Sequence, residues 1–246
     1  MDKKKAFRLA RAAAGLLVSL AALAAICAIV VPHEMQRAAS KPTEGRTEAP
    51  ITVVSEISGE IELSGIDWDY WQAVSPDIVG WITIPGTPID YPIVQAHANA
   101  PTHYLDYDAY GNYNFYGCPY VDAGCTMASR NVIIFGHNMG YYDDSMFTTL
   151  TSYLGQGYRD SHPEVVIQTP ECIRALEVRA AEEVSPYGYE KQVEFSTDEE
   201  LRSYYLKLWE SALSRSTEPE ADGITQLFTL ITCDRGGSTR VVVYVG

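Results

Sequence analysis

Asn131-Val-Ile-Ile-Phe-Gly-His137-Asn-Met139 and, much further along, Thr229-Leu-Ile-Thr-Cys233, with Arg240 after a glycine-containing turn, carry most of what this chain reveals. Each run is β-rich and ends on a reactive side chain. Together they supply an imidazole, a thiol and a guanidinium, the parts from which a cysteine acyl-transfer site is built.

The C-terminal pair has a geometry that follows from the sequence. Leu227 to Thr232 and Arg240 to Val245 are β candidates joined by Asp234-Arg-Gly-Gly-Ser-Thr239, in which Gly236 and Gly237 supply the backbone freedom of a tight connection. As antiparallel neighbours they would set Cys233 opposite Arg240 at the mouth of a hairpin. A cysteine reacts as its thiolate, so a nearby cation or imidazole helps it ionise, and a guanidinium can also bind the oxyanion formed when a carbonyl is attacked. Alone, Cys233 would read as a small buried apolar residue and Arg240 as half of a surface ion pair. Of the five histidines, His33, His97, His103 and His162 lie in polar, proline-adjacent or membrane-exit positions. His137 follows an apolar strand through Gly136, and Asn138 beside it is placed to orient a ring nitrogen.

The N-terminus points to a membrane. Lys3, Lys4, Lys5, Arg8 and Arg11 precede an uncharged run of 20 residues from Ala12 to Val31. As a helix that run spans roughly 30 Å, the thickness of a bilayer core. A cleaved leader has a shorter apolar region of about 7 to 15 residues. The basic flank places residues 1–11 in the cytoplasm and the remainder outside the cell. From about Pro32 to Pro50 few large apolar residues occur, which predicts a flexible tether. Carried to residue 65, it separates the 12–31 anchor from a globular domain over 66–246.

The whole chain has 18 basic and 32 acidic residues, and its net charge is −14. Beyond residue 11 there remain 13 basic and 31 acidic residues, a net of −18. Such a body repels phosphate backbones, so nucleic acid is not an expected partner. No cysteine pair has zinc-ligand spacing and no cofactor motif occurs. Cys118 and Cys125 flank a short segment that a hairpin could close. A disulfide there would add about 2 to 3 kcal/mol outside the cell, and the sequence leaves its formation open.

The globular part reads as mainly β. Trp81 to Ile84, Ile89 to Gln95, Asn131 to Phe135, Val165 to Thr169 and Leu176 to Val184 join the two C-terminal strands. Ile66 to Val74 predicts a short helix stopped at Ser75-Pro76. Thr197-Asp-Glu-Glu200 is a capping box, followed by Leu201, Tyr204, Tyr205, Leu208 and Trp209 at helical spacing. The tyrosine-rich, glycine-rich stretch from Tyr104 to Tyr120 suits loops and edge strands. Many short strands with few long helices predict a closed or nearly closed β architecture.

The runs Asn131 to Met139, Ser145-Met-Phe147 and Thr229 to Cys233 with Arg240, together with Ser75 to Gln95, resemble the signatures of sortases, the cysteine transpeptidases of Gram-positive cell surfaces. The helix ahead of the cysteine strand is similar to the insertion of class B members. The likeness spans roughly Ile66 to Val245. It implies an eight-stranded sortase β-barrel with added helices, and Cys233, His137 and Arg240 as the catalytic set. It also implies cleavage of an Asn-Pro-x-Thr-x-like sorting signal after threonine, and transfer of the acyl group from surface proteins to a peptidoglycan amine or a pilin lysine. Leu105, Phe135, Thr232 and Asp234 are the substrate-contacting positions it suggests. Class B relatives often carry serine at the position of Ile231 and tyrosine at that of Phe135, so two hydroxyls are absent here. A hydrolytic cysteine peptidase and a silent surface-binding module with the same barrel are the alternative readings.

Overall fold

The computed structural model of the protein describes residues 42–187, 191–234 and 236–246. The basic segment 1–11 and the expected membrane span 12–31 lie outside the described residues. Within them, no helix is long and apolar enough to cross a membrane.

The chain runs β1 (Arg46–Ser55), β2 (Gly59–Ile66), α1 (Trp68–Val74), β3 (Ile78–Thr83), β4 (Asp90–Gln95), β5 (Tyr120–Val121) and β6 (Asn131–Phe135). It continues through α2 (Gln156–Ser161), β7 (Glu164–Gln168), β8 (Ile173–Val184), α3 (Asp198–Ser211), β9 (Ser214–Arg215), β10 (Leu227–Cys233) and β11 (Arg240–Val245). The main sheet is ordered β11-β10-β6-β5-β4-β3-β7-β8, and β8 pairs back onto β11. That closes an eight-stranded barrel, with the two-residue β9 appended to β8. The closure depends on the length of β8, whose first half pairs with β7 and whose second half pairs with β11.

Strands β3, β4, β6, β7, β8, β10 and β11 form at or near the expected positions, on runs rich in β-branched, aromatic and other apolar residues. Val132, Ile133 and Ile134 of β6, Leu230 and Ile231 of β10, and Val241 to Val243 of β11 have almost no solvent contact. Helix α1 starts at Asp67, whose side chain accepts from the Tyr70 amide, and ends at Ser75 ahead of Pro76. Trp71, carried by α1, packs its ring 5.3 Å from that of Trp81. Helix α3 starts at Thr197, whose hydroxyl oxygen accepts from the Glu200 amide at 3.1 Å, and Glu200 reaches back to the Ser196 amide. Its buried face, Leu201 and Tyr205, packs on Phe195, Ile224 and Leu227.

One expectation is corrected. The segment from residue 46 to 65 is not tether but a β-hairpin, β1 with β2. It is fastened to the barrel at both ends. Arg46 donates to the Asp90 carboxylate at 2.9 Å, with its guanidinium 4.1 Å from the centre of the Trp81 ring. At the hairpin's turn, the hydroxyls of Ser55 and Ser58 donate to Glu164. Cys118 and Cys125, whose pairing the sequence left open, are free thiols in separate buried places. Cys118 Sγ faces the Pro92 carbonyl and Cys125 Sγ the Ile133 carbonyl. Burial pushes both thiols above their ordinary range.

Candidate active site

The ladders of β6, β10 and β11 assemble the site. Cys233 and Arg240 are direct antiparallel partners, the last pair of the β10–β11 ladder. Opposed residues in such a ladder share a face and lie about 4.5 to 5.5 Å apart at Cα. On its other side β10 runs parallel to β6, with Ile231 beside Phe135. His137 and Cys233 therefore each stand two residues beyond the same matched pair and leave the barrel at the same end. All three side chains are half-buried, neither sealed in the core nor free in solvent.

Past the ladder the two strands remain tied. Gly136 donates its amide to the Ile231 carbonyl at 3.1 Å, and the Thr232 hydroxyl donates to the Gly136 carbonyl at 2.8 Å. Position 136 has no room for a side chain, because a Cβ there would sit 2.6 Å from the ring of Phe147. The backbone of His137 is fixed in turn by the Phe147 amide, which donates to its carbonyl at 2.8 Å.

The imidazole is held by main chain. His137 Nε2 lies 2.8 Å from the Leu105 carbonyl oxygen. A carbonyl only accepts, so this contact puts the proton on Nε2 and leaves Nδ1 with the lone pair of the neutral ring. The Leu105 carbonyl belongs to the short 3-10 turn His103–Leu105, where Gly117 packs directly against it. Asn138 does not orient the ring as the sequence suggested. Its Nδ2 donates to the Cys233 carbonyl at 2.8 Å and its Oδ1 accepts from the Gly140 amide at 2.9 Å. Asn138 thus links the histidine loop to the main chain of the cysteine, a role that sequence proximity to His137 concealed.

We expect Asn138→Ala to lower kcat by about tenfold with little change in KM, because a misplaced nucleophile affects the chemical step more than binding. Steady-state kinetics on a cleavable peptide checks this. An unchanged kcat would remove Asn138 from the machinery.

The four residues suggested as substrate contacts separate into two kinds. Leu105 and Phe135 are half-buried at the border of the aromatic cluster around Trp71 and Tyr120. The Phe135 ring stacks on that of Tyr120 with centroids 5.5 Å apart, and the Lys191 ammonium lies 5.3 Å from the Phe135 ring centre. Thr232 is different, being 2% exposed with its hydroxyl committed to Gly136. It is a clamp between strands rather than a surface that a peptide touches. Asp234 organises its own loop. Its carboxylate accepts from the Thr239 amide at 2.9 Å, the Gly236 amide at 3.1 Å and the Ser238 hydroxyl at 3.2 Å. These bonds, that from Thr239 foremost, hold its carboxyl below the ordinary carboxylate range. His137 takes its bond from Leu105, not from Asp234.

Tyr120 was not singled out by the sequence. Its phenol is pushed up to about 12, chiefly by burial and then by Asp122, with Cys233 raising it further and Arg240 opposing them. This ring stacks on Phe135 and lies within electrostatic reach of both Cys233 and Arg240. Among the described residues no cluster of histidine, cysteine, aspartate and glutamate is arranged to hold a metal ion.

Comparison with known proteins agrees with this geometry. Residues 82–245 match the Sortase domain family. The chain is 31% identical over 165 residues to sortase B of Listeria monocytogenes, a match covering 66% of this chain and 65% of the relative, so less than two thirds of that protein's length is spanned. The structure is similar to that of sortase B from Bacillus anthracis, with 27% identity, a TM-score of 0.62, and coverage of 87% of this chain and 92% of that one. It shares its fold with a Staphylococcus aureus sortase B–substrate complex at 24% identity and a TM-score of 0.64, covering 73% of this chain and 83% of that one. With the family pattern running from β3 to β11 and the barrel closed in the same way, this chain belongs to the sortase family.

Proposed function

We propose that the protein is a cysteine transpeptidase that cleaves a sorting signal of Asn-Pro-x-Thr-x type after threonine and transfers the acyl group to an amine of the cell wall. The observation that carries this reading is the ladder pair Cys233 and Arg240 with His137 tied alongside. His137 Nδ1 takes the Cys233 thiol proton, the sulfur attacks the threonine carbonyl carbon to form a C–S bond, and the carbonyl oxygen becomes an oxyanion beside the Arg240 guanidinium. The C–N bond then breaks, and the departing amine takes its proton from Nδ1 of the His137 imidazolium. In the second half His137 takes a proton from the incoming amine as that amine attacks the thioester and the thiolate leaves.

Leu105 and Phe135 serve in this reading as apolar walls for the peptide. Without hydroxyls at positions 135 and 231, the preference differs in detail from signals read by relatives that have them. The uncharged run 12–31 anchors the chain, with the catalytic domain outside the cell and surface proteins bearing sorting signals as its donors. Transfer to a pilin lysine uses the same chemistry with another acceptor.

Incubating the protein with a library of sorting peptides, with and without an amine acceptor, tests the assignment. The expected result is an acyl adduct on Cys233 by mass spectrometry and a new amide product when the amine is present. Release of free acid at a rate that no amine alters would instead show a hydrolytic peptidase. No adduct with any peptide would remove the enzymatic reading.

A further inference from the structure

We propose that the exposed rings of Phe115, Tyr141 and Tyr142, carried by the two loops that supply Leu105 and His137, dock a positively charged, amine-bearing acceptor chain. The proposal rests on the transpeptidase reading and names the kind of acceptor it would use. Tyr141 is 76% exposed, Tyr142 59% and Phe115 46%, and large exposed rings mark a candidate contact surface.

Phe115 and Tyr142 are fixed in place. Phe115 meets Tyr142 edge to face, with centroids 5.3 Å apart and planes at 89°, and meets Tyr116 at 5.8 Å. The Tyr116 hydroxyl donates to Asp143 at 2.8 Å, and Asp143 also accepts from the Ser145 amide at 2.8 Å. The Tyr142 amide donates to the Met139 carbonyl at 2.6 Å. Two loops are thereby locked together, and both lead back to the reacting centre. One contains Leu105, whose carbonyl holds His137, and the other continues directly from His137 and Asn138.

Charge identifies the occupant. From Ile82 to Tyr158 the sequence contains a single lysine or arginine, Arg130, and that guanidinium is paired with Asp198 at 2.5 Å. The same span supplies Asp106, Asp108, Asp143 and Asp144 to the two loops. Ring faces attract ammonium and guanidinium groups, and a field of one sign concentrates opposite charge. Rings on acidic loops that carry no lysine or arginine of their own suit a basic acceptor segment. An uncharged glycan also stacks on tyrosines but makes no use of the charge.

The test is equilibrium binding to the full chain in neutral detergent, with no sorting peptide present. Two labelled, N-acetylated and C-amidated tripeptides serve as probes, Arg-Lys-Arg and Ser-Lys-Ser, followed by fluorescence anisotropy at low and high ionic strength. The arginine-flanked probe is expected to bind about fivefold more tightly than the serine-flanked one, as cation–π attraction at exposed rings allows. That preference should disappear at high salt, in the double variant Tyr141→Ala/Tyr142→Ala, and in Asp144→Asn. Equal binding of the two probes, a preference that persists in both variants, or binding indifferent to salt would overturn the proposal. Acylation of wild-type Cys233 by a sorting peptide, measured separately, reports on the transpeptidase reading. Its failure would leave the binding result standing.

Discussion

Replacing Cys233 with alanine is expected to give a folded protein that forms no acyl adduct and cleaves no sorting peptide. Replacing Arg240 with alanine should keep the adduct detectable but slow its formation by about 100- to 1000-fold, the usual effect of removing one oxyanion donor. The two substitutions differ because they remove different things. In the proposed reaction the first deletes the atom that forms the new bond, and the second deletes the cation that stands opposite Cys233 across a single ladder rung. Arg240→Lys should recover only part of the rate, since an ammonium offers one charge centre but not the planar fork of donors. Single-turnover acylation followed by mass spectrometry measures all three. Wild-type rates in Arg240→Ala would mean that the oxyanion is held by other groups.

A comparably large effect is expected at Gly117, a residue with no chemistry of its own. Its φ is +62°, and a Cβ there would lie 2.4 Å from the Tyr104 carbonyl oxygen and 2.6 Å from that of Leu105. Gly117→Ala combines left-handed backbone strain with a collision against two main-chain oxygens that cannot rotate away. The Leu105 carbonyl must shift, and with it the support of His137 Nε2. Acylation is expected to fall by about 100-fold, the cost of misplacing a reacting group by about 1 Å. Stability should fall by about 1 to 3 kcal/mol. The pH profile of acylation separates the two effects, because a displaced imidazole changes the profile whereas lost stability alone does not. A profile identical to wild type would show that His137 does not depend on this turn.

The strands that build the site were legible because each is a β-branched run with a clear stop. Asn131–Phe135 ends at Gly136, and Leu227–Cys233 ends at the polar Asp234 loop. The hairpin at residues 46–66 was hidden by composition, since Pro50, the threonines and the glutamates dilute an alternation in which Val53 is buried and Val54 is 77% exposed. Strand β5 has two residues, too few for any period, and its place between β4 and β6 is fixed by partners far away in the chain. The same limit applies inside the site. Cys233, His137 and Arg240 could be identified by their reactive groups, but the group that holds His137 is a peptide oxygen, which has no signature in sequence. Thr232 and Asp234 were legible as neighbours of the nucleophile but not as residues whose polar atoms are already occupied by Gly136 and the Asp234–Thr239 loop.

That a peptide oxygen rather than a side chain grips the imidazole bears on how the protein can vary. The bond to His137 does not depend on the side chain at residue 105, since every amino acid brings the same oxygen to that spot. In the proposed reaction, position 105 could therefore be varied without removing the acceptor that holds the general acid. The constraint falls instead on the neighbour at 117, where nothing larger than hydrogen fits.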